Sequence, residues 1–318
     1  MAVQTDILTV TLNPAVDLAT TVPKVIAGPK LRCDQPRFDP GGGGVNVARA
    51  ICKLGGNARA LIAVGGAMGD KLLALLAAEA VPALPVRVSG ETRQSFAVTD
   101  GSTGAQYRFS VPGQVLTAQD ADLLLAEIAA HTPQHSYLVV SGSVTPGLPV
   151  DFQTRIIAAT AQAAPKLIVD TSYAALGQLI THPTVPLHVL RIDQDEAEQA
   201  ANRTMPSVAD SVNFAADLLS RGVAKTIVIG RGAEGSVLVS ADHRFMCYAP
   251  VVPVRSKIGA GDAFLGALTL AFARGDLPDT ALRWGVAAAS ATVQTEGTAL
   301  CDPDTAAARF HECRLTVI

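Results

Sequence analysis

Aromatic residues make up only 4% of this 318-residue chain, although 49% of it is hydrophobic. A core with so few rings must be filled by Val, Leu, Ile and Ala, which suits a soluble globular body and argues against disorder. There is no Cys-x-x-Cys. The five cysteines, Cys33, Cys52, Cys247, Cys301 and Cys313, stand far apart, and neither they nor the six histidines show metal spacing. A zinc site is therefore not expected, and free thiols in a reducing compartment are. The formal net charge is only −3, so no broad basic surface for nucleic acid is expected. The opening MAVQTDILTVTLNP lacks a basic n-region and an apolar h-region, and the run LLALLAAEAV is cut by Glu79. Neither a signal peptide nor a membrane contact is expected, and the cytoplasm is the expected compartment. Also missing is a Walker A loop. GGGGVNVARA is not a dinucleotide fingerprint either, because Val47 stands where the last glycine is needed.

What is present reads as a layered α/β body. ILTVTL (7–12) is a short β-branched run, VNVARAICKLGG a helix ending at Gly55, ARALIAVGG a strand, and DKLLALLAAEA a helix opened by Asp70. PVRVSG begins a further strand segment. The later half repeats the alternation through HSYLVVSGSV, DFQTRIIAATAQA, KLIVDTS, VPLHVLRID and TIVIG, and ends in apolar helices from Asp262 and Ala281. Strands this apolar predict a mostly parallel sheet covered on both faces. Two stretches alternate polar and apolar residues instead: KLRCDQPRFDP (30–40) and TRQSFAVTDGSTGAQYRFSVPG (92–113). They predict a small half-exposed sheet, the second as a hairpin turning at DGSTG.

The stretch Lys257-Ile258-Gly259-Ala260-Gly261-Asp262 precedes a long apolar helix. A helix start leaves unpaired N–H groups and the positive end of the dipole, and small side chains let an anion approach them. Gly259, Ala260 and Gly261 thus suit phosphate oxygens. Asp262 beside them repels phosphate unless it takes a proton from the group that attacks it. Taken alone, Asp262 is equally a helix cap. A second bare loop, Gly232-Ala233-Glu234-Gly235, follows the strand TIVIG, where nucleotides bind in α/β sheets.

With PGGGGVNVARAICKLGG in the first half and KIGAGDAFLGAL in the second, the chain resembles the ribokinase-like, or PfkB, family of sugar kinases. TLNPAVD, KLRC, TRQSF, YRFSVPG and SGSVTPG follow in the order of its phosphosugar branch, the minor bacterial ATP-dependent 6-phosphofructokinases. The resemblance implies a three-layer ribokinase-like domain over residues 1–318. Residues 14–40 and 89–113 would form a discontinuous β-sheet lid and the surface of a homodimer. It implies ATP and Mg²⁺ as cofactors and fructose 6-phosphate as acceptor. Relatives acting on fructose 1-phosphate or tagatose 6-phosphate share the pattern, and a sensor that binds without catalysis is the alternative of another class.

By the same resemblance, Asp262 is the base and Gly259, Ala260 and Gly261 form its anion hole. Asp17, Gly42, Gly43, Asn46 and Ser143 contact the sugar, while Lys30, Arg32, Arg93 and Arg108 surround its phosphate. Gly230, Gly232 and Gly235 border the nucleotide phosphates, and Ala291, Thr295 and Gly297 lie near the adenine; Arg231 departs from the family's small or apolar residue and is expected either to touch phosphate or to reach solvent. The family's Lys-Pro-Asn-x-x-Glu is here Arg191-Ile192-Asp193-Gln194-Asp195-Glu196. Glu196 and Asp193 stand at the metal positions, and Arg191 keeps the charge of the lysine without its shape.

Overall fold

The computed structural model describes residues 4–318; the first three residues of the expected domain lie outside the described part. β1 (Ile7–Thr11) leads through β2 (Ala15–Val22) and β3 (Arg37–Gly41) into α1 (Gly43–Lys53), β4 (Arg59–Val64), α2 (Gly66–Ala78) and β5 (Ala83–Arg87). The hairpin of β6 (Arg93–Asp100) and β7 (Gln106–Ser110) comes next, then α3 (Ala118–His131), β8 (Tyr137–Ser141), α4 (Phe152–Ala159), β9 (Lys166–Asp170) and α5 (Tyr173–Thr181). The remainder runs β10 (Val189–Asp193), α6 (Gln194–Ala201), α7 (Val208–Ser220), β11 (Thr226–Gly230), β12 (Gly235–Ser240) and β13 (Arg244–Tyr248). It closes with α8 (Ala260–Ala273), α9 (Pro278–Thr292), α10 (Pro303–Glu312) and β14 (Arg314–Val317).

A ten-stranded sheet in the order β14-β13-β12-β11-β10-β9-β8-β1-β4-β5 carries the body. Every pairing from β5 across to β11 is parallel. From β11 to β14 the pairing is antiparallel, because β11 and β12 are joined by a tight turn and a parallel crossover needs a far longer connection. Successive residues feed opposite faces. Leu8, Leu138 and Val140 join a core with α3, α4 and α7, while Ile7, Tyr137 and Val139 join one with α1, α2, α8 and α9. Each fully buried Leu or Ile there contributes about 1.5–3 kcal/mol, so the sheet is anchored from both sides.

The second sheet has the order β3-β2-β6-β7. Its hairpin turns at DGSTG as the alternation implies, and β2, which had no strand signal of its own, pairs in parallel with β6. Three boundaries differ from expectation. Residues 30–36 form no strand, since Pro29 and Pro36 bracket them and neither donates to a ladder. α1 starts at Gly43 rather than Val45. α2 starts at Gly66 rather than Asp70, because the distant Glu91 carboxylate accepts the backbone N–H of Met68 and serves the first turn. Among the described residues no helix is long and apolar enough to cross a membrane.

Candidate active site

Two hollows meet at the N-terminus of α8. One, of about 610 Å³, opens at the carboxyl ends of β10 and β11 and is lined by Arg191, Asp193, Gly230, Gly232, Ala260 and Gly261. The other, of about 280 Å³, lies beneath the small sheet and is lined by Asp17, Asn46, Arg93, Arg108, Gly259 and Asp262, among others. The GAGD turn is thus the wall between them: Ala260 and Gly261 border the larger hollow, Gly259 and Asp262 the smaller.

Gly259 is the N-cap of α8 in a left-handed conformation, φ 75°, and offers no side-chain cap. The first N–H groups of the helix are therefore open to a ligand. Asp262 does not take the capping role its sequence position allows; its carboxylate accepts a 2.9 Å bond from Asn46 Nδ2. Burial pushes its pKa up to about 6, with the Asn46 bond opposing. A carboxyl whose pKa is raised toward physiological pH suits proton transfer there.

Arg191 lies at the floor of the larger hollow. A methyl group added to Gly261 would stand 3.0 Å from its Nη2, so any larger residue there would press on the guanidinium. The guanidinium is fixed by Asp170 at 3.1 Å, and its Nε is buried without a partner among the described residues. Asp193 and Glu196 form a reciprocal capping box on α6: Asp193 accepts from the Glu196 N–H at 2.8 Å and Glu196 from the Asp193 N–H at 2.9 Å.

In the smaller hollow, strand register sets the chemistry. Asp39, Asp17, Ser95 and Ser110 form one cross-strand row, and Arg37, Ala19, Ala97 and Arg108 the next. Side chains directly opposite share a face, so a polar face looks into the pocket. Arg93 Nη1 donates to the Ser95 and Ser110 hydroxyls, and its Nη2 donates to the Asn13 carbonyl. Burial pushes Asp17 up to about 6, against the pull of Arg93 and Arg49. Any side chain on Gly41 would collide with the Asp17 carboxylate. Gly42 and Gly43 complete this wall, and Ser143 accepts from Asn13 Nδ2 just outside it. Across the pocket the small sheet is tied to the body. Arg37 Nη2 donates to the Glu296 carbonyl at 3.2 Å, and the Thr298 hydroxyl bonds the Asp39 carboxylate.

Within one copy of the chain, several of the expected residues do not face the hollows. Lys30 and Arg32 are exposed on the irregular stretch before β3 and line neither hollow. Arg231 borders the larger hollow, but its guanidinium is buried and committed to Glu234, Ser211 and the carbonyls of Met205 and Pro206. It is not extended into solvent. Ala291 packs inward against α8 and α10, Thr295 closes its own turn, and Gly297 abuts Arg37. The larger hollow is lined instead by Val286, Ala289, Ser290 and Val293 of the same helix region, with Val252 and Val254 opposite. Helical rotation explains the miss, since a shift of one or two residues turns a side chain to another face. Lys257, Thr298 and Asp170 went unnoticed. Asp170 had a signal, an Asp ending an apolar strand beside the one that ends in Asp193.

A mostly parallel sheet with a bare helix start, a buried carboxylate of raised pKa beside it and a cationic pocket under a small sheet defines a small-molecule kinase. A profile described as pfkB family carbohydrate kinase matches residues 7–305. The chain is 38% identical over 298 residues to the ATP-dependent 6-phosphofructokinase isozyme 2 of Escherichia coli K12, covering 94% of this chain and 96% of the relative. It is 36% identical over 300 residues to the protein of the same name in Mycobacterium tuberculosis H37Rv, covering 94% and 87%. The crystal structure of phosphofructokinase-2 from Escherichia coli in complex with fructose-6-phosphate superposes with a TM-score of 0.90, at 35% identity over 97% of this chain and 99% of that one. The chain belongs to the pfkB family of carbohydrate kinases.

Proposed function

We propose that this kinase transfers the γ-phosphoryl group of ATP to the free primary hydroxyl of fructose 6-phosphate, giving fructose 1,6-bisphosphate and ADP. The single observation that carries this is the placement of the GAGD turn, with its N–H groups on the wall shared by both hollows and Asp262 facing the sugar side. ATP occupies the larger hollow with its phosphates toward Gly230, Gly232, Gly235 and the α8 start. Asp17, Asn46, Gly42 and Gly43 hold the sugar hydroxyls, and Arg93 and Arg108 its phosphate. Asp262 accepts the hydroxyl proton as the sugar oxygen bonds to the γ-phosphorus and the bond to the β-phosphate oxygen breaks. The α8 N–H groups and the positive charge of Arg191, which lines the larger hollow, stabilise charge on the moving group.

Asp193 lines the larger hollow and Glu196 lines neither, but the two carboxylates, joined by their capping box, fit a divalent cation that arrives with the nucleotide. Each carboxylate spends one acceptor site on the capping box and keeps others free. Among the described residues no group of three or more His, Cys, Asp or Glu is placed to hold a metal unaided. Mg²⁺ habitually retains waters and binds through one or two carboxylates plus phosphates. When bound, it neutralises phosphate charge.

The small sheet serves as lid and as the contact of a homodimer; Tyr107 and Phe109, exposed on β7, support that role. In such a dimer Lys30 and Arg32 are available to the second copy's phosphosugar. A panel of fructose 6-phosphate, fructose 1-phosphate, tagatose 6-phosphate and free fructose, with ADP release measured and the product position identified, tests the assignment. Turnover on fructose 6-phosphate well above the others supports it. Preference for another phosphosugar reassigns the acceptor, and tight ATP binding with no turnover on any sugar marks a sensor.

A further inference from the structure

Arg49 is 1% exposed on α1 and lines neither hollow, so it is not placed to touch a ligand. Its Nε and Nη2 donate to both oxygens of Glu79, at 2.8 and 2.6 Å. Its Nη1 donates to the Pro40 carbonyl at 2.9 Å and to Asn46 Oδ1 at 3.0 Å. Glu79 is the C-cap residue of α2, so the pair joins two helices. Guanidinium has donors only, and an ionised carboxylate has acceptors only. The amide of Asn46 lies between one of each, and a single orientation satisfies both: oxygen toward Arg49, nitrogen toward Asp262.

We propose that the Arg49–Glu79 pair is a positioning device for the general base, holding the Asn46 amide so that its nitrogen always donates to Asp262. The proposal rests on the assignment of Asp262 as base. The chain Glu79–Arg49–Asn46–Asp262 runs from the rim of α2 to the reacting centre, each link a hydrogen bond of 3.0 Å or less. The bidentate contact to Glu79 fixes the plane of the guanidinium, and so the direction in which Nη1 points. Without Arg49 the Asn46 amide is free to turn and to present its oxygen to Asp262, which favours the protonated carboxyl. The other charged groups that face Asp262 are Arg191 on β10, Asp170 on β9 and Asp17 on β2; Arg49 also lowers the Asp17 pKa directly, and Glu79→Gln, which leaves the Arg49 charge in place, separates that effect from the turning of Asn46.

The test is the pH profile of turnover at saturating substrates for Arg49→Leu, Asn46→Ala, the double variant and Glu79→Gln. Arg49→Leu and Asn46→Ala each move the acid limb upward by about one pH unit, which below the limb is about a tenfold loss of turnover. The double variant moves it no further than either single one, because both remove the same donor. Glu79→Gln shifts the limb in the same direction by less and carries the test if Arg49→Leu does not fold. A folded variant of Arg49 or Glu79 with the wild-type limb overturns the proposal, as do additive shifts in the double variant. Asp262→Asn in the same assay separates the two claims. If it abolishes turnover while the Arg49 limb stays put, only the positioning role falls; if it keeps wild-type turnover, both fall.

Discussion

Replacing Asp262 by Asn is expected to stabilise the unliganded protein while disabling it. Burial pushes this carboxyl up to about 6 from the ordinary 3.8. A gap of about two units amounts to about 3 kcal/mol against the folded state where the group is ionised in both states. The side chain is half-buried and partly hydrated, which lowers the working figure to about 1–2 kcal/mol. For a chain of this length that is a rise in melting temperature of about 2–3 °C. The sign follows from the order of ionisation. Below about pH 4 both states hold the proton and this contribution vanishes. Between about pH 4 and 6 the unfolded carboxyl ionises first, so the wild type loses stability as pH rises; above that the deficit is constant. Asn keeps its oxygen available to Asn46, so the hydrogen bond survives. Calorimetry at about pH 4 and about pH 8 should show the gap opening only at the higher pH. ATP binding measured by titration calorimetry should persist, and turnover should fall about a hundredfold to ten-thousandfold. A variant that melts no higher than wild type at the higher pH refutes the idea that burial raises the carboxyl. Wild-type turnover in a pure sample refutes the assignment of the base.

Arg93→Met removes a cation bonded to Ser95, Ser110 and Asn13 in the sugar pocket. The KM for fructose 6-phosphate should rise about ten- to a hundredfold, as for loss of a charge-assisted bond, with kcat changed far less. A kcat loss at unchanged KM would place this arginine elsewhere. Removing divalent cations with a chelator should abolish turnover, and Mg²⁺ should restore it, while the melting temperature of the unliganded protein stays put. A fall in that temperature on chelation would mean a resident structural metal that the capping box of Asp193 and Glu196 does not explain.

Much of this molecule was legible in order along the chain. Apolar β-branched runs separated by amphipathic segments announce a covered parallel sheet, because burial on both faces leaves no room for polar alternation. The polar alternation of 92–113 announces the exposed hairpin for the converse reason. The GAGD turn sets small residues and a carboxylate side by side, so the bare helix start and Asp262 needed no tertiary information to be singled out. What only the folded structure decided is which distant groups meet. Asn46 and Asp262 are 216 residues apart in sequence, yet share a hydrogen bond. α1 and α8 pack so that Asn46 of the glycine-rich helix meets Asp262, and α2 supplies Glu79 to Arg49 beneath it. The face of α9 that borders the larger hollow, the inward turn of Arg231 and the outward stance of Lys30 and Arg32 were likewise settled by packing. Local backbone preference and hydrophobic period specify elements and their buried faces, whereas the direction of a polar side chain depends on partners that the chain brings together only on folding.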